Sequence, residues 1–449
     1  MKDTENLRPW LASEIADAVD GRLVGPDRTV RGVFTDSREV APGSTFVPLI
    51  DQRDGHAFIG AARLAGASCW LTSKPTETDG EIVVNDTAAA LTAWGLIARH
   101  LLPNRVVGIT GSSGKTSTKD MLSAIFLCEG PVVASVKSFN NEIGVPLTLI
   151  NAPEHALATV VEMGARGKGH IAALCAVARP TVGVIVNIGT AHRELFGSAE
   201  ATADAKSEIY DAIGPEGASV VNLDDAQYPA MRARARGQVV TFSRTGHGDA
   251  TVIAEHVRLD EEIRASFTLR SEWGVQAVRL GARGIHQVEN ALAAASAAFA
   301  SGVSLDDVVG GLSTMDLSPM RMDLSTGTSG VQVLNDSYNA NPSSMRAALE
   351  ALVGIPAVRR FAVLGTMAEL GPGKLGFHLE IGAFARKLGL DLALALDEQD
   401  FGLVNVTSVD GALDALGPLG HGDVVLVKGS RVAGLERMAA RLLSDGPTT

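Results

Sequence analysis

Near-continuous apolar runs alternate with helical patterns along most of the chain. From Arg105 onward RVVGIT is followed by a helical stretch beginning at Lys115, then LATVVEMG, a helix at GHIAALCAVA, and TVGVIVNIG. Val/Ile-rich runs separated by helices are the pattern of a parallel sheet covered on both faces. The segment from about Gln238 to Leu280 (QVVTF, ATVIAEHVRL, RASFTLR, VQAVRL) instead alternates apolar and polar residues, predicting antiparallel strands with one wet face. The first hundred residues form a smaller α/β pattern that ends with TAAALTAWGLIARHLL, an amphipathic helix stopping at Pro103. After ENALAAASAAFASG and the Pro319 turn, a third αβ alternation runs from VQVLND through RFAVLG, LALAL and DVVLVKGS to a final helix at GLERMAARLL. The expectation is an α/β protein of three domains, residues 1–103, 104–318 and 319–449. A central P-loop-type, mostly parallel domain would be flanked by a small N-terminal α/β domain and a C-terminal Rossmann-like one.

Composition narrows the function. The 449 residues are 46% hydrophobic and 20% charged, enough for true cores. With 39 basic against 51 acidic side chains the net charge is −12, and there is no basic stripe that could displace counterions from a nucleic acid. Nucleic acid is therefore not an expected partner. No apolar run approaches the ~20 residues of a spanning helix, and the start MKDTENLRPW lacks the layout of a secretion signal. Cys69, Cys128 and Cys175 are widely spaced, without a CxxC pair, which fits neither a disulfide framework nor a zinc site. A cytoplasmic address, a monomer and no membrane association are the simplest expectations.

The strongest chemical signal is RVVGIT, then GSSGKTST, then the helical KDMLSAIFL. Strand, Gly-rich loop and helix start together set backbone amides and a helix N-terminus around a phosphate. Gly111, Ser112, Ser113, Gly114, Lys115, Thr116 and Ser117 form this candidate site, with Lys115 on the outer phosphates and the Thr116 hydroxyl available to Mg²⁺. Ile109 stands where the strict pattern has its first Gly, so the loop is a shortened GxxGKT. Metal-holding groups are expected at neighbouring strand ends. Glu162 closes ATVVE, and His192 follows the VNIG run. A carboxylate is a natural ligand for Mg²⁺ and a histidine an unusual one. Taken alone, Glu162 is more often a solvated strand end and His192 an ordinary loop histidine.

These segments, with TDSREVAPGSTF, RDGHAFI, KSFNNEIGVPLTL, VVEMGARGKGHI, ADAKSEI, IHQVENALAA, PMRMD, NDSYNANPSSM, VLGTMAELG and GDVVLVKGSR in that order, resemble the ATP-dependent Mur ligases over nearly the whole chain. The resemblance implies an enzyme of peptidoglycan precursor synthesis that phosphorylates a carboxylate with ATP. An amine then attacks the resulting acyl phosphate. It implies ATP and Mg²⁺ as cofactors, a UDP-linked muramoyl peptide as acceptor and D-alanyl-D-alanine as the incoming amine.

By the same resemblance Lys115, His192 and Lys206 are catalytic, and Thr116, Glu162, His192 and Lys206 serve magnesium, with Lys206 carbamylated. From its residue type alone Lys206 reads as a solvated helix lysine, and Glu208 as the likelier acid. The resemblance further places Asn290 on adenine with His286 nearby, Arg321 on the phosphates and Asp336 near the ribose. Ser37 and Arg38 are implied at the uridine diphosphate, Asn140 and Asn141 with Glu142 along the acceptor channel, and Tyr338, Asn339 and Asn341 near the incoming amine. DSYNANPSSM could equally be a strand-to-helix turn with a cap near Ser343.

Two segments depart from the family pattern: VPLIDQRDGH, with Pro48 and Asp51, and Gly365-Thr366-Met367, where many relatives carry an acid. The first motivates an alternative reading, a paralogue joining amino acids to a different carboxylate. A nucleotide-gated binding protein is the alternative from another class.

Overall fold

The computed structural model describes residues 4–136, 139–189 and 196–444. The expected α/β architecture is present as three main sheets. In the first, Arg22–Leu23, Glu81–Val83, Cys69–Thr72, Thr45–Phe46 and Val33–Phe34 lie side by side, with only the first pair antiparallel.

The central sheet has nine strands. Its parallel part runs from Val132–Ala134 through Ala158–Glu162, Val106–Thr110, Val182–Ile185, Ala218–Asn222 and Gln238–Ser243 to Val252–Leu259. Arg264–Ser271 and Gly274–Arg283 then continue it antiparallel. One expectation is corrected here: Gln238–Ser243 pairs parallel on both sides, and the antiparallel part starts only at the Val252 strand. The alternation in QVVTF reflects its partial cover at the N-terminal end, where Gln238 is exposed, while Val240 and Phe242 join the core.

The third sheet orders Asp323–Thr326, Gln332–Asp336, Asp423–Lys428, Arg359–Leu364, Leu392–Leu396 and Val404–Val406, parallel except for its first pair. Asp336 and Lys428 therefore end adjacent strands, in register with each other.

Packing shows which parts share a core. On one face of the central sheet the Lys115–Leu127, Gln287–Ala300 and Leu305–Thr314 helices form a core with Val107, Ile109, Val184 and Phe242. The Ala-rich helix is buried along nearly its whole length, and its small side chains let it lie close on the sheet. On the other face Trp10, Ile15, Trp94 and Leu91 share one cluster with Val145, Leu149 and Ile171, so this core continues past Pro103. Gly95 is the point of closest approach: a Cβ there would stand 2.7 Å from the Pro146 side chain. The third sheet has two clusters, one per face, and the first of them also takes in Ile263 from the turn before the Arg264–Ser271 strand.

Candidate active site

The phosphate loop is built by the expected strand, Val106–Thr110, and helix, Lys115–Leu127. Gly114 caps that helix at φ 78°, a left-handed conformation that favours glycine. A Cβ here would lie 2.1 Å from Asn290 Oδ1, so Gly114 also lets the start of the Ala-rich helix approach the loop. The loop is held from the next strand end by Asn187. Its carbonyl accepts the Ser112 amide at 3.0 Å, and its side-chain oxygen accepts the Ser113 amide at 3.0 Å and hydroxyl at 3.1 Å. Glu289 in turn accepts from Asn187 Nδ2 at 3.1 Å.

Charges converge on this loop. Lys115 Nζ donates to the Gly111 carbonyl at 2.7 Å, and Lys206 Nζ donates to the same oxygen at 3.2 Å. Lys206 is 1% exposed. Burial, and then the neighbouring Lys115 charge, push its pKa well below the usual lysine value. Lys115 is lowered as well, chiefly by burial. The solvated-lysine reading of Lys206 is thus overturned, because its helix, Ala199–Asp211, turns that face toward the loop. Glu208 is turned elsewhere: its carboxylate accepts the Gly169 amide at 2.6 Å and the Ala172 amide at 3.0 Å, at the start of the His170–Ala178 helix.

The Thr116 hydroxyl donates to Glu162 Oε2 at 2.7 Å, and Asn140 Nδ2 donates to Glu162 Oε1 at 2.8 Å. Arg321, from the far side of the third domain's hinge, donates to Thr116 Oγ1 at 2.9 Å and lies over the Tyr338 ring at 4.4 Å. Met320 and Met322 on either side of it both hold positive φ, 63° and 52°. For side-chain-bearing residues this is strained backbone, and it aims Arg321 across the domain gap.

One cavity of about 740 Å³ gathers most of the expected residues. Ser112, Ser113, Gly114, Lys115, Thr116, Ser117, Asn140, Asn141, Glu162, Lys206, Asn290, Arg321, Asp336, Tyr338, Asn339 and Asn341 all line it. Gly111 contributes its carbonyl from behind. Ser37 and Arg38 are not brought to it: the Arg38 side chain is 87% exposed and forks onto Asp36 in the first domain. His192 lies outside the described residues. Asn341 has a second occupation, capping the Pro342–Gly354 helix by accepting the Ser344 amide at 2.9 Å. Sequence reasoning missed Asn187, Glu289 and Lys428. Each stands inside or beside a quoted motif, at a strand end or helix start facing the cavity.

The lining suits a polyphosphate nucleotide. Ser112 Oγ, His286 Nδ1 and Arg321 Nε are buried polar atoms without a partner among the described residues, and such atoms are costly unless a polar ligand meets them. His286 is pushed down to about 4, mainly by burial, so its ring is neutral. For a magnesium ion, the donor set offers the Thr116 hydroxyl beside the Glu162 carboxylate, hard oxygens of the required kind.

The comparisons with known proteins agree with this geometry. Residues 109–298 match the Mur ligase middle domain, and residues 320–431 match the Mur ligase glutamate ligase domain. A UDP-N-acetylmuramoyl-tripeptide–D-alanyl-D-alanine ligase from Mycobacterium bovis is 39% identical, covering 96% of this chain and 97% of its own. The chain belongs to the Mur ligase family. An Escherichia coli relative of the same name is 34% identical over 97% of this chain and 98% of its own. Among solved structures, MurF from Acinetobacter baumannii superposes with a TM-score of 0.87 at 31% identity, covering 98% of this chain and 99% of its own. MurF ligase from Thermotoga maritima, in complex with ADP, does so at 0.78 and 29% identity, covering 92% and 96%. The three-domain Mur ligase fold is thereby the fold of this chain.

Proposed function

We propose that this Mur ligase adds D-alanyl-D-alanine to UDP-N-acetylmuramoyl-tripeptide through an acyl phosphate, using ATP and Mg²⁺, in peptidoglycan precursor synthesis. The observation that carries the reading is one cavity where a phosphate loop, a strand-end carboxylate and the hinge arginine of another domain meet, in a chain matched end to end by ligases of that name.

In this reading residues 1–103 hold the uridine diphosphate end, with Ser37 and Arg38 at the pyrophosphate. Residues 104–318 bind ATP, and residues 319–449 close on ATP and the incoming amine. The amides of the 111–117 loop and Lys115 receive the phosphates, while Arg321 adds a second cation from the closing side. Asn290 faces adenine and Asp336 the ribose. Asn140 and Asn141 orient the acceptor carboxylate, and Tyr338, Asn339 and Asn341 orient the amine. Thr116, Glu162, His192 and Lys206 would hold magnesium, which when bound supplies neutralisation of phosphate charge.

Lys206 is suited to carbamylation because burial and the Lys115 charge push its pKa down, toward the neutral amine that reacts with CO₂. Closure of the third domain would keep water from an acyl phosphate that hydrolyses readily. A cytoplasmic location and a monomer complete the reading; none of the described helices is long and apolar enough to cross a membrane. Purified protein should release phosphate from ATP only with both the nucleotide-peptide and the dipeptide present, and product mass should show the new amide. Robust release without either substrate would overturn the assignment.

A further inference from the structure

Lys428 ends the Asp423–Lys428 strand, between Asp336 and Leu364 of the two flanking strands. Its side chain is 1% exposed. The ammonium donates to the Asp336 carboxylate, to the Asn339 carbonyl at 3.0 Å and to the Asp336 carbonyl at 3.5 Å. Three acceptors thus face its three donors.

Stability gives little reason for this arrangement, since a buried ion pair can often be replaced by apolar side chains at no net cost. What it holds gives a better one. Asp336 Oδ1 accepts the Met322 amide at 3.2 Å, and the Tyr338 amide donates to the Met320 carbonyl at 3.2 Å. The 336–339 turn is therefore stitched to both sides of Arg321, whose guanidinium reaches Thr116. Two residues beyond Lys428, Ser430 Oγ donates to the Ala340 carbonyl at 3.3 Å, extending the support along the same turn.

We propose that Lys428 is a positioning residue for the nucleotide. It fixes the Asp336 carboxylate and the Asn339 carbonyl at the cavity wall, and through the backbone around Met320 and Met322 it sets the approach of Arg321 to the phosphate loop. The inference rests on the nucleotide reading of the cavity and adds a residue to which no role in it had been given.

The test uses full-length protein, calorimetric titrations with Mg·ADP and with the UDP-linked acceptor, steady-state kinetics in ATP, and a double-mutant cycle with D336N. K428M, close in length and volume, should weaken Mg·ADP at least tenfold and raise the KM for ATP more than it lowers kcat, with acceptor affinity within twofold of wild type. The K428M/D336N double variant should bind Mg·ADP no more than threefold more weakly than K428M alone, because the pair acts as one device. Unchanged Mg·ADP affinity in K428M, an equal loss for both ligands, or fully additive losses in the cycle would each overturn the proposal alone. If K428M does not fold, K428Q, which keeps a donor for the Asn339 carbonyl, is measured instead. A selective tenfold loss then supports the proposal and unchanged affinity overturns it. Wild-type protein that binds no Mg·ADP would overturn the nucleotide reading and the proposal with it.

Discussion

At the scale of single residues, the site depends on positions where one atom more or one charge less has a definite cost. Gly114 is such a position. An alanine there must hold φ near 78° and meet the Asn290 side-chain oxygen Oδ1, so Gly114→Ala pays about 1–2 kcal/mol of backbone strain. It also pushes Asn290 from the loop. We expect a rise of at least tenfold in the KM for ATP, measured by steady-state phosphate release. Lys115→Ala removes the ammonium from the Gly111 carbonyl and from the phosphates, and turnover should fall below one per cent of wild type in the same assay. Lys206 makes a different demand. With its amine buried beside Lys115 and its pKa pushed well below the usual lysine value, ¹³C-labelled bicarbonate should give a carbamate carbonyl signal by NMR that disappears in Lys206→Ala. Wild-type protein without that signal would remove Lys206 from the magnesium set.

At the scale of elements, the Asn341 cap separates two roles that the sequence left open together. Asn341→Ser keeps an oxygen for the Ser344 amide and should hold the melting temperature close to wild type, whereas Asn341→Ala should cost about 1 kcal/mol, the usual worth of such a cap. If both variants lose activity while only the alanine loses stability, the amide also serves the cavity. The strand, loop and helix around Lys115 were legible in the sequence because glycine spacing and apolar runs are local signals. Glu162 was legible as the last residue of its strand for the same reason. Lys206 was legible only through family resemblance. In ADAKSEI charged Asp204 and Glu208 stand two positions to either side of it, and the loop carbonyl that it meets lies 95 residues earlier. Lys428 escaped because a lysine closing DVVLV looks like a side chain reaching for solvent, and its acceptors lie 89 and 92 residues away. QVVTF was read antiparallel because alternation reports cover on each face, whereas strand direction is decided by the pairing partner.

For the whole molecule, the net charge of −12 would repel the anionic ligands this chain is proposed to bind, so the attraction has to be local. Lys115, Arg321 and Lys428 all line the one cavity, and two of these three come from beyond Pro319. The cores say how those two arrive. Trp94, Leu149 and Ile171 belong to one continuous cluster that joins the first and second sheets, while the third sheet's two clusters are made of residues beyond Pro319 apart from Ile263. Between these bodies run the strained Met320–Met322 backbone, the Arg321–Thr116 hydrogen bond and the buried Ile263 side chain, which joins the third-sheet core. A ligand can shift such an arrangement only by binding its two states differently. In the proposed function a phosphate between Lys115 and Arg321 would do so, bonding both bodies at once. Adding Mg²⁺ and a non-hydrolysable ATP analogue should therefore reduce the radius of gyration in solution scattering. Arg321→Ala should lose that compaction while keeping the wild-type melting temperature within a few degrees, since Arg321 belongs to none of the hydrophobic clusters. Compaction that survives intact in Arg321→Ala would mean that closure is driven from elsewhere on the interface.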